Sequence, residues 1–152
     1  MLDINEQYDK IYRYCFLRVR DKSAAEDLTQ ETFLRYLEHP QYHSTDKTLQ
    51  LLYTIAANLC KDQFRKVRAA ELPENEPSAE NIEESVLSDV DLKLALGRLS
   101  DEDREIILLR YINDVPVNVI ARLYNISRFA LNRRINSILG SLHEYLGKEE
   151  LT

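Results

Sequence analysis

The sequence predicts an all-α protein built from two small helical domains, a three-helix unit followed by a unit ending in a helix-turn-helix, joined by an acidic flexible linker. Three observations predict it. Breakers are scarce, with three Gly and four Pro in 152 residues, while good helix formers such as Leu, Ala, Glu, Arg and Lys abound. Apolar residues recur at three- and four-residue spacing over long stretches, the period of a helix with one buried face. The formal charge of −6 is also concentrated in one place, because residues 71–91 hold eight Asp or Glu and no Lys or Arg. That segment includes Pro73 and Pro77 and few apolar residues, so it can bury too little surface to offset its ordering entropy. The expected division is residues 1–70, an acidic linker over 71–85, and residues 86–148.

In the N-terminal part the first helix is expected over about 3–20, with Ile4, Tyr8, Ile11, Tyr12, Cys15 and Val19 on one stripe. Asp21, Lys22 and Ser23 interrupt it, and Ser23 with Glu26 has the spacing of a capping box for the second helix, about 24–39. Leu28, Phe33, Leu34 and Leu37 are its candidate core residues, and Pro40 stops it. The third helix, about 46–69, presents Leu49, Leu52, Ile55, Ala56, Leu59, Cys60 and Phe64. It ends in the cations Lys61, Arg65, Lys66 and Arg68, which suit the negative end of a helix dipole.

In the C-terminal part residues 86–99 are amphipathic. Ser100 caps the next helix, whose first turn holds Asp101, Glu102 and Asp103 and which runs to about Ile112. Asn113 and Asp114 signal a turn, Pro116 opens a short helix over 117–124, and Asn125 suits a positive-φ corner. Ser127 caps a last helix to about Leu146. Residues 116–139 thus have the anatomy of a helix-turn-helix. In its second helix Leu131, Ile135, Ile138 and Leu142 form the inward stripe. At 100° per residue Phe129, Asn132, Arg133 and Asn136 point the other way, towards base edges if the helix enters a major groove. Arg128 and Arg134 flank them as candidate phosphate contacts. Residues 115–143 contain four Arg and no acid, as a surface facing phosphate requires.

Other classes find little support. No stretch approaches the roughly 18 apolar residues of a membrane span, and residues 1–10 lack a signal layout, so a cytoplasmic protein without membrane insertion is expected. Cys15 and Cys60 stand alone in apolar patterns and are expected to be buried thiols rather than metal ligands. His39, His43 and His143 are scattered, with no HExxH, phosphate loop or nucleophile elbow. An enzyme, a metal site and a cofactor are therefore not expected.

Three stretches in order carry a family resemblance: AEDLTQETFL at 25–34, LYTIAANLCKDQFRK at 52–66, and LSDEDREIILLRY at 99–111 leading into the helix-turn-helix. With them the chain resembles, over nearly its whole length, the extracytoplasmic-function (ECF) subfamily of bacterial RNA polymerase sigma factors. The resemblance implies an alternative sigma factor that binds core RNA polymerase, through the β′ clamp helices and the β flap, and directs promoter-specific initiation. By the same resemblance Asp27, Gln30, Glu31 and Phe33 would dock on the polymerase. Asn58, Asp62, Arg65 and Lys66 would face minus-ten DNA, with Tyr42 or His43, in a loop over 40–47, stacking on a flipped base. Arg128, Phe129, Asn132, Arg133, Arg134 and Asn136 would meet the minus-thirty-five element, and an anti-sigma partner is implied. The chain departs from the family pattern at Leu51 (usually Trp), Val119 (Glu), Asn125 (Gly), and Asn132, Asn136 and Ser137 (basic residues or His). Without the resemblance, the helix-turn-helix also fits a conventional repressor or activator that does not act through the sigma site of polymerase.

Overall fold

The computed structural model describes residues 3–38, 45–69 and 90–150, and among them every regular element is helical. The chain divides into two compact units, Met1–Ser78 and Ala79–Thr152. The acidic segment expected as a linker over 71–85 lies outside the described residues.

The first unit packs α1 (Ile4–Val19), α2 (Lys22–Leu37) and α3 (Thr45–Ala69) against one another, each helix touching the other two. Helix α1 starts on Asp3, whose carboxylate accepts from the Asn5 and Glu6 N–H groups. It ends on Arg20 in the left-handed region at φ 54°, with its N–H returned to the Phe16 carbonyl. The cap of α2 is Asp21, which accepts from the Ser23 N–H at 3.1 Å. The cap therefore sits two residues before the expected one, and Ser23 lies within the first turn of the helix. An aspartate directly after the left-handed residue already takes the capping role by accepting from the Ser23 N–H, so Ser23 is not needed as a cap.

The inward face of α2 also differs from the expectation. Ala25, Leu28, Thr29, Thr32 and Phe33 are buried, whereas Leu34 and Leu37 are 59% and 56% exposed. The two threonines take the core positions because each hydroxyl donates to the carbonyl four residues back, Thr29 to Ala25 at 2.6 Å and Thr32 to Leu28 at 2.7 Å. With its polar atom satisfied locally, a threonine fills a core like a valine. Ile4 and Phe64, expected inside, are also exposed. Around Leu52, Ala56 and the fully buried Tyr53, aromatic pairs join the helices. Tyr14 meets Tyr53 edge-on at 5.3 Å, and Tyr8 stacks on Phe33 at 5.5 Å. Cys15 and Cys60, far apart in sequence, are hydrogen-bonded neighbours in this core; that bond, and then burial, push the Cys15 thiol far above its usual range.

The second unit contains α4 (Val90–Gly97), α5 (Asp101–Ile107), a π-helical turn (Leu108–Ile112), α6 (Val117–Leu123) and α7 (Arg128–Glu150). Ser100 caps α5 as expected, accepting from the Asp103 N–H at 3.1 Å. Arg104 closes the preceding helix by donating to the Leu96 and Leu99 carbonyls, both at 3.1 Å. The helix expected to run unbroken to Ile112 widens into the π turn, where the Asn113 N–H reaches the Leu108 carbonyl and the Val115 N–H reaches Leu109. Asp114 then takes φ 54° and turns the chain. The widened turn leaves Leu108, Leu109 and Val115 all buried. The core of this unit is closed by Ile106, Ile120, Leu131 and Ile135.

Candidate nucleic-acid interface

The helix-turn-helix is formed by α6, the turn Tyr124-Asn125-Ile126 and α7. Asn125 adopts φ 56°, a conformation asparagine tolerates better than most residues with a side chain. The Ile126 N–H returns to the Ala121 carbonyl at 3.0 Å, and the Ser127 hydroxyl accepts from the Ala130 N–H at 3.0 Å to start α7. Val119, Ile120 and Ala121 are buried against α7, so the valine that replaces the usual acid becomes part of the core. On α7, Leu131, Ile135, Ile138 and Leu142 are all buried, the stripe the spacing predicts.

The opposite face is open. Arg128, Phe129, Asn132, Arg133 and Asn136 are exposed together. Arg133 lies over the Phe129 ring, its guanidinium carbon 5.4 Å from the ring centroid. Arg134 behaves differently. It is half-buried, and its guanidinium donates to Asp103 at 2.8 Å and also to Glu102. Burial would lower the Arg134 pKa, but hydrogen bonds and attraction from the two carboxylates outweigh it and raise it. The absence of acids from residues 115–143 therefore does not describe the charge around Arg134, because α5 supplies two. This residue, expected to reach phosphate, bridges α7 to the first turn of α5. Nearby, Tyr124 donates to Glu105, a second polar tie from the turn to α5. Sequence reading missed both ties, and for Arg134 the run of acids in the first turn of α5 was the available signal.

In the first unit two further exposed stripes carry expected residues. Asn58, Asp62, Arg65 and Lys66 are all exposed on α3, at spacings that keep them on one face. Arg65 and Asp62 form a loose ion pair at 3.8 Å. Asp27 and Gln30 are exposed on α2, and Glu31 beside them accepts from Arg35 at 2.9 Å. Phe33 is on the other side, 8% exposed and stacked on Tyr8, so it holds α2 in place and offers no surface to a partner. Leu34 and Leu37 fill out the exposed stripe instead. Tyr42 and His43 lie outside the described residues. Among the described residues there is no group of three or more His, Cys, Asp or Glu able to hold a metal ion, and no helix long and apolar enough to cross a membrane.

Comparison with known proteins assigns both units. Residues 4–70 match the family Sigma-70 region 2, and residues 95–144 match Sigma-70, region 4. The chain is 36% identical over 131 residues to the ECF RNA polymerase sigma factor BldN of Streptomyces coelicolor, covering 78% of this chain and 49% of that relative. It is 28% identical to SigE of Mycolicibacterium smegmatis, over 95% of this chain and 60% of the relative. It is 30% identical to SigW of Bacillus subtilis, over 88% of this chain and 82% of the relative. The chain thus spans about half the length of the first relative and most of the length of the third. Among solved structures, the sigma factor RpoE of Bartonella quintana, in complex with the anti-sigma factor NepR, matches with a TM-score of 0.60 at 18% identity, covering 92% of this chain and 91% of that one. At that identity the likeness speaks for the fold.

Proposed function

The chain belongs to the extracytoplasmic-function family of RNA polymerase sigma factors, and from that membership we propose that it is an alternative sigma factor that binds core RNA polymerase and directs promoter-specific initiation. The observation that carries this reading is the composition of the outward stripe of α2. Asp27, Gln30 and Glu31 form its polar end and Leu34 and Leu37 its apolar end, on a helix whose other face is committed to the core. Two large apolar side chains left in water next to polar groups suit a protein interface with an apolar centre and a polar rim. We assign this stripe to the β′ clamp helices, with Phe33 as its support from behind.

In this reading residues 1–70 bind polymerase and minus-ten DNA. Asn58, Asp62, Arg65 and Lys66 line the DNA side, and Tyr42 or His43 supplies a stacking aromatic. Residues 71–85 form a linker, and residues 86–148 engage the β flap and the minus-thirty-five element. There Arg128, Phe129, Asn132, Arg133 and Asn136 face DNA. Arg134 is a support whose pairing with Asp103 and Glu102 aims the helix. The protein works in the cytoplasm, and it performs no catalysis itself. An anti-sigma partner, of the kind that accompanies the Bartonella quintana sigma factor, would cover the docking or DNA faces.

The test is binding of the full chain to core RNA polymerase, wild type beside an Asp27→Ala, Gln30→Ala, Glu31→Ala variant. Tight binding that the variant loses by ten-fold or more, with unchanged helicity, is expected. A folded protein that does not bind core polymerase at micromolar concentration would overturn the reading and leave a stand-alone helix-turn-helix regulator in its place.

A further inference from the structure

The start of α7 carries an arrangement that a plain basic recognition helix lacks. Phe129 is 75% exposed, the most exposed large apolar side chain among the described residues. It does not stand alone. Arg133 follows it by four residues, which puts the two side chains one above the other on the outward face, and the guanidinium lies over the ring at 5.4 Å. Beside them opens a recess of about 580 Å³ lined by Val117, Asn118, Arg128, Phe129 and Asn132. The lining holds an apolar ring, two carboxamides and an arginine, and no carboxylate.

Base edges in the major groove offer two features that this pair fits. Thymine alone presents a methyl group, which takes an apolar contact. Guanine presents O6 and N7 as adjacent acceptors, which an arginine fork meets with two parallel donors. An arginine stacked on a ring keeps its planar fork from sweeping freely, so less freedom is lost when the fork engages a base. Four residues of helix advance about 6 Å, against about 3.4 Å per base step. Where the helix follows the groove, the pair therefore spans one or two steps.

We propose that Phe129 and Arg133 act as one reading unit for a thymine and a guanine lying within two base pairs of each other in the upstream promoter element. The Phe129 ring packs on the thymine methyl, and the Arg133 guanidinium donates to guanine O6 and N7. This deepens the assignment of residues 86–148 to that element and rests on it. It also gives a chemical meaning to the asparagines where the family carries cations. Fewer charges seek phosphate, which only positions the helix, and a small number of base-directed groups specify the sequence.

The experiment uses the full chain bound to core RNA polymerase, initiating on promoters in which the upstream element is randomised, with productive templates sequenced. The expected product is an enriched element containing a thymine and a guanine within two base pairs. On that element, replacing the thymine by deoxyuridine, which removes only the methyl, should lower initiation by wild type about three-fold or more. Phe129→Ala should be indifferent to the same replacement. Replacing the guanine by 7-deazaguanine, which lacks N7, should cost wild type about ten-fold and Arg133→Ala little. An enriched element without such a pair, or a deoxyuridine effect equal in wild type and Phe129→Ala, would overturn the inference while leaving the sigma reading intact. No enrichment at all would likewise overturn the inference alone, and failure to bind core polymerase would overturn both.

Discussion

Arg134 serves the fold. Its guanidinium joins the carboxylates of Asp103 and Glu102 across 31 and 32 residues of sequence. Arg134→Ala removes that bridge and leaves two acids facing the open helix. Stability should fall by about 1–2 kcal/mol, towards the lower figure because the pairs are partly exposed to solvent. Arg134→Lys should fall between, since an ammonium cannot meet both acids with a planar fork. Urea denaturation measures this. An arginine that served only phosphate would give the opposite pattern, with unchanged stability and a shallower salt dependence of DNA binding. The Cys15 thiol makes a second prediction at this scale. Its pKa is raised by the hydrogen bond to Cys60 and by burial, so the folded chain keeps a proton that the unfolded chain releases above about pH 8.5. The associated stability is fully present below that pH and declines above it. Iodoacetamide at neutral pH should therefore leave both buried thiols unmodified in the native protein and modify both in denaturant, read by intact mass.

At the scale of elements, α2 and α7 are alike, each with a core face and an exposed face. On α7 the buried stripe is read correctly from 100° spacing because it is purely aliphatic. Leu131→Ala, at a fully buried position where α7 meets α6, should cost about 2–5 kcal/mol and unfold much of the C-terminal unit, seen by loss of far-UV ellipticity at moderate temperature. On α2 the spacing misleads, because the threonines bury and the leucines do not. Leu34→Ser with Leu37→Ser should therefore leave the melting temperature nearly unchanged, or slightly raised, while weakening core polymerase binding several-fold. A drop of many degrees in the melting temperature would place those leucines in the core after all.

Over the whole molecule, the charge pattern and the two cores argue for two folding units. Each unit has its own buried set, centred on Tyr53 and Leu52 in the first and on Ile106, Ile120 and Leu131 in the second. Fragments 1–70 and 86–148 should accordingly each be helical, with far-UV spectra that together account for most of the intact chain's signal. Units of about 60 residues are only marginally stable, so a low melting temperature in a fragment is compatible with this; a fragment with no helical signal at 10 °C is not.

The sequence by itself determined a large part of this protein. Helical periodicity, the Ser100 and Ser127 caps, the positive-φ Asn125 and the four-residue aliphatic stripe of α7 are local properties, written within a few turns of chain, and the three family stretches are legible in order. The tertiary structure alone decided four things. It turned Phe33 inward and Leu34 outward, because which side of a mixed Thr/Leu helix is buried depends on the helices it meets. It brought Cys15 beside Cys60. It widened the end of α5 into a π turn that keeps Leu108, Leu109 and Val115 inside. And it tied Arg134 to acids about thirty residues away, because electrostatic partners are chosen by distance in space, which the spacing of charges along the chain does not contain.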